Sequence, residues 1–345
     1  MSTTSIVQIH QLRLMMCILL TILLGCMTGC GSNLYQDISS GLSPQKLSLP
    51  RGEFESVAWL DDDHIAFIYR PEELIPDDLG KDFSINIFEI SSGKTITLPH
   101  ISIPSSCFPP STISELTRLP DGSLGFVFRC HSENGISGTL FMWDVNQNAY
   151  IELQNYPEFL VRNFSFSPDM SRFIQERGIG DGLNNELYLV SPEKIMRKLL
   201  LDFKRARSPA WSSDGKTIAF AGTKENPENT DTNTWPEIES LFYYPWDIYL
   251  MDADGNNARV LLPLVGNIYD LKWSPANSNF LLFGGTAFDD VDGVWILDIS
   301  DKSVKRIWTE NTRFDWAPDG SKIVVLDNNT GTRWTSVTVI DIKEH

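Results

Sequence analysis

Two Gly-Lys-Thr triplets, at residues 93–95 and 215–217, are the stretches of this sequence whose residue types first suggest phosphate chemistry. A phosphate-binding loop also needs a glycine five residues before the glycine of the triplet. Those positions hold Phe88 and Ala210. Because the required glycine is missing in both cases, we interpret both triplets as hairpin turns.

A second chemical signature, Asp-Ala-Asp-Gly-Asn-Asn from Asp252, places oxygen-bearing side chains at alternate positions, as calcium loops do. Such a loop needs glycine at its sixth position and glutamate at its twelfth. Here Gly255 is fourth and Pro263 is twelfth. We therefore predict no metal site and no cofactor, with a structural cation at the acidic loops described below as the alternative.

Motifs for nucleophilic or metal-dependent catalysis are missing from the sequence, which has neither a Gly-x-Ser-x-Gly elbow nor a His-Glu-x-x-His pair. The histidines beyond residue 30 are His64, His100, His131 and His345, in turns, in loops or at the last position. Scattered histidines of this kind are typical of a solvated surface. These observations predict no catalytic residue, and we expect the protein not to be an enzyme.

The elements that must position any functional residue come from a sequence repeat. Its six copies are VAWLDDDHIAFIY from Val57, LTRLPDGSLGFVF from Leu116, FSFSPDMSRFIQE from Phe164, PAWSSDGKTIAFA from Pro209, LKWSPANSNFLLF from Leu271 and FDWAPDGSKIVVL from Phe314. Each copy has an alternating strand, a turn of the Ser-Pro-Asp-Gly type and a second alternating strand. This pattern predicts a β-hairpin whose turn aspartate bonds the backbone two residues ahead and whose glycine has a positive φ.

A third and a fourth strand follow each hairpin, except that the sixth copy ends without a fourth strand. The segment QKLSLP from Gln45 can supply it, and residues 45–345 then divide into six units of about 50 residues each. We therefore predict an all-β fold: a six-bladed β-propeller of four-stranded antiparallel blades, closed by the N-terminal strand in the last blade. Closure of this kind removes exposed sheet edges.

The repeat, as in WSSDGKTIAF from Trp211 and IYLMDADGNNARVL from Ile248, resembles the WD40-like repeat of the TolB family of periplasmic propellers. The likeness covers nearly all of residues 45–345 and is weak in the second copy. It implies a six-bladed propeller. TolB also carries an N-terminal α/β domain, for which the sequence leaves no room before the first strand, so its Tol–Pal role is not carried over.

Residues 1–30 have the layout of a lipoprotein-type signal peptide, with a weakly basic start, an apolar run and small residues before cysteines. Lipid attachment is predicted at Cys26, which has leucine three residues upstream, with Cys30 as the alternative. A plain cleaved signal and an N-terminal anchor helix are further alternatives. Residues 31–44 are predicted to be a flexible tether, and residues 45–345 a single propeller domain. The predicted location is extracytoplasmic and membrane-anchored, in the periplasm or on the outer cell surface.

The formal net charge of −17 disfavours nucleic acid as a partner, because an acidic surface repels phosphates. Cations and basic proteins fit that charge better. Contact with a membrane is expected only through the N-terminal lipid.

The longest predicted loops emerge on one face of the propeller, and we expect a protein partner to bind there. Its acidic members are Glu72, Glu73, Asp77, Asp78, Asp289, Asp290 and Asp292, and its aromatic members are Trp235, Phe242, Tyr243 and Tyr244. The alternatives are a solvated acidic rim and an aromatic loop that folds back to cap neighbouring blades. Cys107 and Cys130 lie at the same face and are predicted to form a disulfide, with two free thiols as the alternative.

Charged residues also stand at the strand starts around the predicted channel mouth: Glu55, Glu115, Arg162, Arg207, Asp270 and Arg313. A mixed ring of this kind could bind a small polar ligand, or it could satisfy itself by ion pairs.

These features together predict a monomeric, lipid-anchored propeller at the cell envelope that works as a non-catalytic protein-binding or scaffold module. The alternative is a propeller enzyme or ligand sensor that acts on glycans or peptides at the channel mouth. That alternative requires a pocket with at least two converging acids, or a histidine–acid pair, whose pKa values are perturbed.

Overall fold

The structure is a computed structural model that describes residues 35–71, 84–99, 101, 106–133, 135–145, 147–156, 160–179, 184–224, 246–288, 291–310, 312–327 and 335–342. They belong to one compact unit, Tyr35–His345. Apart from a single 3-10 turn at Ser39–Gly41, the regular structure within these ranges is entirely β. No helix in them has the length and apolar character needed to cross a membrane.

The first half of the described chain contains strands β1 (Gln36–Asp37), β2 (Pro44–Lys46), β3 (Gly52–Trp59), β4 (His64–Pro71), β5 (Ser84–Glu89), β6 (Lys94–Thr97), β7 (Phe108–Arg118), β8 (Leu124–Ser132), β9 (Gly135–Asp144), β10 (Ala149–Tyr156), β11 (Leu160–Phe166), β12 (Phe173–Ile179), β13 (Asn184–Val190) and β14 (Met196–Lys198). The second half contains β15 (Arg205–Trp211), β16 (Thr217–Thr223), β17 (Trp246–Asp252), β18 (Arg259–Trp273), β19 (Phe280–Ala287), β20 (Val291–Asp298), β21 (Val304–Trp308), β22 (Phe314–Trp316), β23 (Lys322–Asp327) and β24 (Ser336–Asp341).

These strands pair into sheets whose order follows the chain. Three sheets are four-stranded and antiparallel throughout: β3 to β6, β7 to β10, and β11 to β14. A further four-stranded sheet joins β22, β23 and β24 to β2, and an eight-stranded sheet runs from β15 to β21 and ends with β1. The short connections within each sheet follow from the turn-forming residues of the repeat.

The eight-stranded sheet is continuous because β18 pairs on both sides. The first half of β18 pairs with β17 up to Gly266, and the second half of β18 pairs with β19 from Gly266 to Trp273. The repeat predicts two separate strands here, the fourth strand of one copy and the first strand of the next. Gly266 accounts for the difference: its φ is 125°, and an added Cβ would lie 2.3 Å from the carbonyl oxygen of Thr286. Only glycine lets the chain bend while it stays paired to β19.

The N-terminal part of the described chain also differs from the expected tether. Strand β2 pairs antiparallel with β24, and β1 extends the edge of β21 in parallel. Tyr35 packs against Trp295 with ring centroids 4.6 Å apart, and Ile38 and Leu42 pack on a buried cluster. Apolar side chains within residues 35–44 therefore hold this segment on the sheets.

The hairpin turns have the predicted chemistry. The backbone N–H of Lys216 donates to Asp214 Oδ1 over 3.1 Å, and Gly215 has a φ of 73°. Asp169 and Asp319 accept the same bond from the residue two positions ahead, at 3.0 and 2.9 Å. The triplet at 215–217 is confirmed as part of a turn.

Six strand segments, called the inner strands below, line one central cavity: β3, β7, β11, β15, the second half of β18, and β22. Each is followed along the chain by strands that pair beside it in its sheet. Indole N–H groups join some of the inner strands: Trp273 donates to the carbonyl of Ala210 at 2.9 Å, and Trp316 donates to that of Lys272 at 3.1 Å. The protein is thus an all-β propeller with four-stranded antiparallel blades.

Candidate functional site in the central channel

The central cavity has a volume of about 360 Å³, which is within the range of small-molecule sites. Its charged lining residues are Glu115, Arg118, Asp270, Lys272, Arg313 and Asp315. All of them belong to inner strands or lie directly beside one. A site built in this way collects residues that are far apart in the sequence.

A β-bulge recurs at the same level of the inner strands, next to the charged positions predicted from sequence. Register shifts occur in β3, β7, β11, β15 and β18. At two of these bulges a residue other than glycine has a positive φ, 55° at Glu115 and 51° at Ser208. Bulges and strained φ values re-aim side chains and are frequent at functional sites. The bulge in β7 therefore explains how the side chain of Glu115 reaches the channel.

Arg313 interacts with three acids of the predicted ring, Glu115, Asp270 and Glu55. Its Nη2 and Nη1 donate to the two carboxylate oxygens of Glu115 at 3.2 and 3.3 Å, and Arg129 Nη2 donates to Glu115 Oε1 at 3.0 Å. Glu115 first, and then Asp270 and Glu55, raise the pKa of Arg313. The guanidinium group of Arg313 therefore stays charged in the channel.

Lys272 and Asp315 form a second ion pair in the lining, with 3.1 Å between Nζ and Oδ1. Burial alone would lower the pKa of Lys272, but the charges of Asp315 and Asp270 outweigh it and the pKa is raised. The other oxygen of Asp315 accepts the backbone N–H of Trp59 at 3.0 Å. This pair thus carries charge in the channel and links the last blade to the first.

Two acids of the ring are not ion-paired within the part of the chain that the structure describes. Asp270 accepts a hydrogen bond there only from the backbone N–H of Leu271, at 2.9 Å. Desolvation raises the pKa of Asp270 to about 6, although Lys272 and Arg313 act to lower it. Desolvation also raises the pKa of Glu55, against the charge of Arg313. With a pKa of about 6, Asp270 can hold or release a proton near neutral pH.

Three of the six predicted ring residues, Glu55, Arg162 on β11 and Arg207 on β15, are not among the residues that line the cavity. Desolvation lowers the pKa of Arg207 to about 10, partly offset by the nearby charge of Glu176. Glu176 lies on β12 and is buried. The structure therefore divides the six predicted residues: Glu55, Glu115, Asp270 and Arg313 interact with one another, and Arg162 and Arg207 form a separate group.

Most of the predicted partner-binding face lies outside the described residues, namely Glu72, Glu73, Asp77, Asp78, Trp235, Phe242, Tyr243, Tyr244, Asp289 and Asp290. The lipid-attachment candidates Cys26 and Cys30 also lie outside them. Asp292 is described, and it accepts the hydroxyl of Thr286 at 2.6 Å. A disulfide joins Cys107 to Cys130, with 5.2 Å between their Cα atoms.

Sequence reasoning missed Lys272, Asp315 and Glu176. The first two occupy the position just before the tryptophan of the repeat, in LKW and FDW, where most copies have a small or polar residue. A charged residue directly before the tryptophan was therefore the sequence signal that could have identified Lys272 and Asp315. Glu176 gave no comparable signal, because β12 is a second strand and the sequence does not show that its neighbours supply hydrogen-bond donors.

The described residues contain no group of three histidine, cysteine, aspartate or glutamate side chains placed to hold a metal ion.

Comparison with known proteins gives no matching family model and no matching curated protein. Solved structures do match. One named as TolB, from Agrobacterium tumefaciens, is 19% identical with a TM-score of 0.51, and the match covers 72% of this chain and 79% of that chain. A gluconolactonase from Xanthomonas campestris is 11% identical with a TM-score of 0.53, covering 88% and 91%. An oligogalacturonate lyase in complex with manganese is 12% identical with a TM-score of 0.51, covering 90% and 96%. These are likenesses of fold, and they confirm the predicted β-propeller.

The comparison corrects one expectation, that the protein is not an enzyme. Two of these neighbours are named as enzymes, so the fold gives no support to a protein without catalysis. Our expectation rested on contiguous motifs, and it was wrong for a physical reason. A propeller site is assembled from single residues on inner strands, which lie about one blade apart in the sequence.

Proposed function

We propose that this protein is a propeller enzyme that acts on a glycan in its central channel, with Asp270 as the residue that transfers a proton. The observation that carries this proposal is the carboxyl group of Asp270: it lines a cavity of about 360 Å³, has no ion-pair partner among the described residues and has a pKa of about 6. Proton transfer is most effective when the pKa of the catalytic group lies near the working pH.

The surrounding charges suit a reaction at a polar carbon–oxygen bond. Protonated Asp270 can donate its proton to the leaving oxygen, while water in the cavity adds to the carbon and returns a proton to the carboxylate. Arg313 and Lys272 offer fixed positive charge to an oxygen that becomes negative during the reaction. Glu55, whose pKa is also raised, precedes Ser56 of the cavity lining and is the candidate for a second acid, since carbohydrate-cleaving sites use a pair of acids.

A glycan is favoured over a peptide by the neighbours and by the lining. The gluconolactonase and the oligogalacturonate lyase are both named for carbohydrate-type substrates. The cavity lining also mixes hydrogen-bond donors, such as Lys272 and Arg313, with acceptors such as Asp270 and Glu115. Hydroxyl-rich ligands need both kinds of group.

We further propose that the propeller has six blades and that the protein is extracytoplasmic. We count the eight-stranded sheet as two blades that meet within β18, which gives six blades, with β2 completing the last one. Pairing of β2 with β24 and the six inner strands around the cavity support this count. We also propose a monomeric, lipid-anchored extracytoplasmic protein whose acidic loop face meets a protein partner and whose channel takes no nucleic acid.

Activity of the full chain on a panel of oligosaccharides and sugar lactones, measured as released product, tests the proposal. Asp270→Asn should lose at least about 100-fold in kcat, in line with removal of a general acid. The matched control is Asp254→Asn in an exposed turn, which should leave kcat unchanged. Activity of the wild type should fall as pH rises above about 6, because Asp270 is then deprotonated. Binding of a glycan by the wild type without any turnover would reject the enzyme and support a ligand sensor.

A further inference from the structure

Two neighbouring arginines, Arg162 on β11 and Arg207 on β15, lie within two residues of Asn163 and Pro209, which line the cavity. Neither Arg162 nor Arg207 forms an ion pair with any acid among the residues that the structure describes, whereas Arg129 and Arg313 share Glu115. The Nε atoms of Arg162 and Arg207 are buried and have no hydrogen-bond partner within the same ranges. Buried guanidinium groups are normally paired, so this pair needs an explanation.

Glu176 is the acid near both arginines, but its oxygens already have other donors. Oε2 accepts the side chain of Asn163 and the backbone N–H of Ser208, both at 2.8 Å, and Oε1 accepts Asn185 at 2.6 Å. These bonds join β11, β12, β13 and β15, which is a structural task. One carboxylate committed in this way leaves the two positive guanidinium groups with a charge excess.

The guanidinium group of Arg207 is held in place by two aromatic rings and one asparagine side chain. Its Cζ lies 4.0 Å from the ring centroid of Trp246 and 5.5 Å from that of Tyr269, and its Nη2 donates to Asn267. Trp246 is buried, while Tyr269 is 38% exposed. A fixed guanidinium group beside a half-exposed aromatic ring offers a ligand both a charge and an apolar face.

We propose that Arg162 and Arg207 bind the carboxylate of a sugar acid, with Tyr269 under the sugar ring, so that the substrate of the channel is an acidic glycan. A planar carboxylate matches the guanidinium fork and supplies the charge that Glu176 leaves uncompensated. Arg162 is followed on β11 by Asn163, which lines the cavity as Asp270 does, so a sugar held by the arginines would reach into the cavity from that side. The inference rests on the proposed function only for the place where the ligand binds.

Calorimetric titration of the full chain with galacturonate and with galactose tests this proposal, since the two sugars differ only at C6, which is a carboxylate in galacturonate and a hydroxymethyl group in galactose. The wild type should bind galacturonate more tightly than galactose. Arg207→Gln and Arg162→Gln should each weaken galacturonate binding about 10- to 100-fold, the effect of losing a charge-assisted hydrogen bond, and change galactose binding less than about 2-fold. The exposed control Arg259→Gln should change neither.

Three results would overturn the proposal: equal affinity of the wild type for both sugars, unchanged galacturonate binding in both variants, or inorganic phosphate binding more tightly than galacturonate. If a glutamine variant does not fold, Arg207→Lys keeps the charge, and it should retain the preference for galacturonate in weakened form. Asp270→Asn separates the two proposals. It should keep the galacturonate preference, and its activity reports only on the proposed reaction.

Discussion

Replacing Asp270 with asparagine should stabilise the protein at neutral pH, although it removes the proposed acid. Desolvation in the channel raises the pKa of Asp270 from 3.8 to about 6, against the charges of Lys272 and Arg313. A carboxyl group with a higher pKa in the folded state opposes folding once it ionises. The penalty is absent well below pH 3.8, reaches about 1.6 kcal/mol near pH 5 and levels off at about 3 kcal/mol above pH 7.

Urea unfolding of the wild type and the variant between about pH 4 and pH 8 measures this difference. Asparagine keeps the size of the side chain and can still accept the N–H of Leu271, so packing should change little. The variant should gain stability as pH rises, from under about 1 kcal/mol to about 3 kcal/mol. Asp254→Asn should do the opposite and lose stability at neutral pH, because hydrogen bonds from Asn256 lower the pKa of Asp254.

A stability difference that does not change with pH would refute this reasoning, and so would a variant that is less stable than the wild type at neutral pH. Either result would mean that the carboxylate of Asp270 is well solvated or ion-paired. The assignment of Asp270 as the proton-transferring group would then lose its physical basis. A variant that is more stable and inactive is the outcome expected for a residue kept for function.

Three further predictions concern the framework of the channel. Asp315→Asn should destabilise the protein by about 3–5 kcal/mol because it leaves Lys272 buried without its partner, and Lys272→Met in the same background should recover most of the loss in urea unfolding. Replacing both disulfide cysteines with serine should cost about 3 kcal/mol, since the bridge spans a sequence separation of 23, and an equal midpoint for the reduced and oxidised wild type would contradict this. Tyr35→Ala should lower stability by about 1–3 kcal/mol through lost ring packing, whereas the exposed neighbour Gln36→Ala should not; identical melting of the two variants would argue that residues 35–44 are a free tether.

Local patterns predicted the parts of the site that depend on one stretch of chain. Alternating apolar residues and the Asp-Gly turns predicted the hairpins, and Asp214 and Gly215 have the expected geometry. Of the six charged positions at the strand starts, Glu115, Asp270 and Arg313 line the cavity. The pairing of Lys272 with Asp315 could not be predicted in this way, since the two residues are 43 positions apart in the sequence.

The sequence by itself determined the repeat, the four-stranded blade and the strand positions that carry charged residues. These follow from side-chain periodicity and turn chemistry, which act over a few residues. Only the tertiary structure decided which charges meet. It paired Glu115 with Arg313 and Arg129, left Asp270 desolvated and unpaired within the described chain, and brought Arg162 beside Arg207. Ion pairing and desolvation depend on distances across blades, and those distances exist only after the ring of strands has formed.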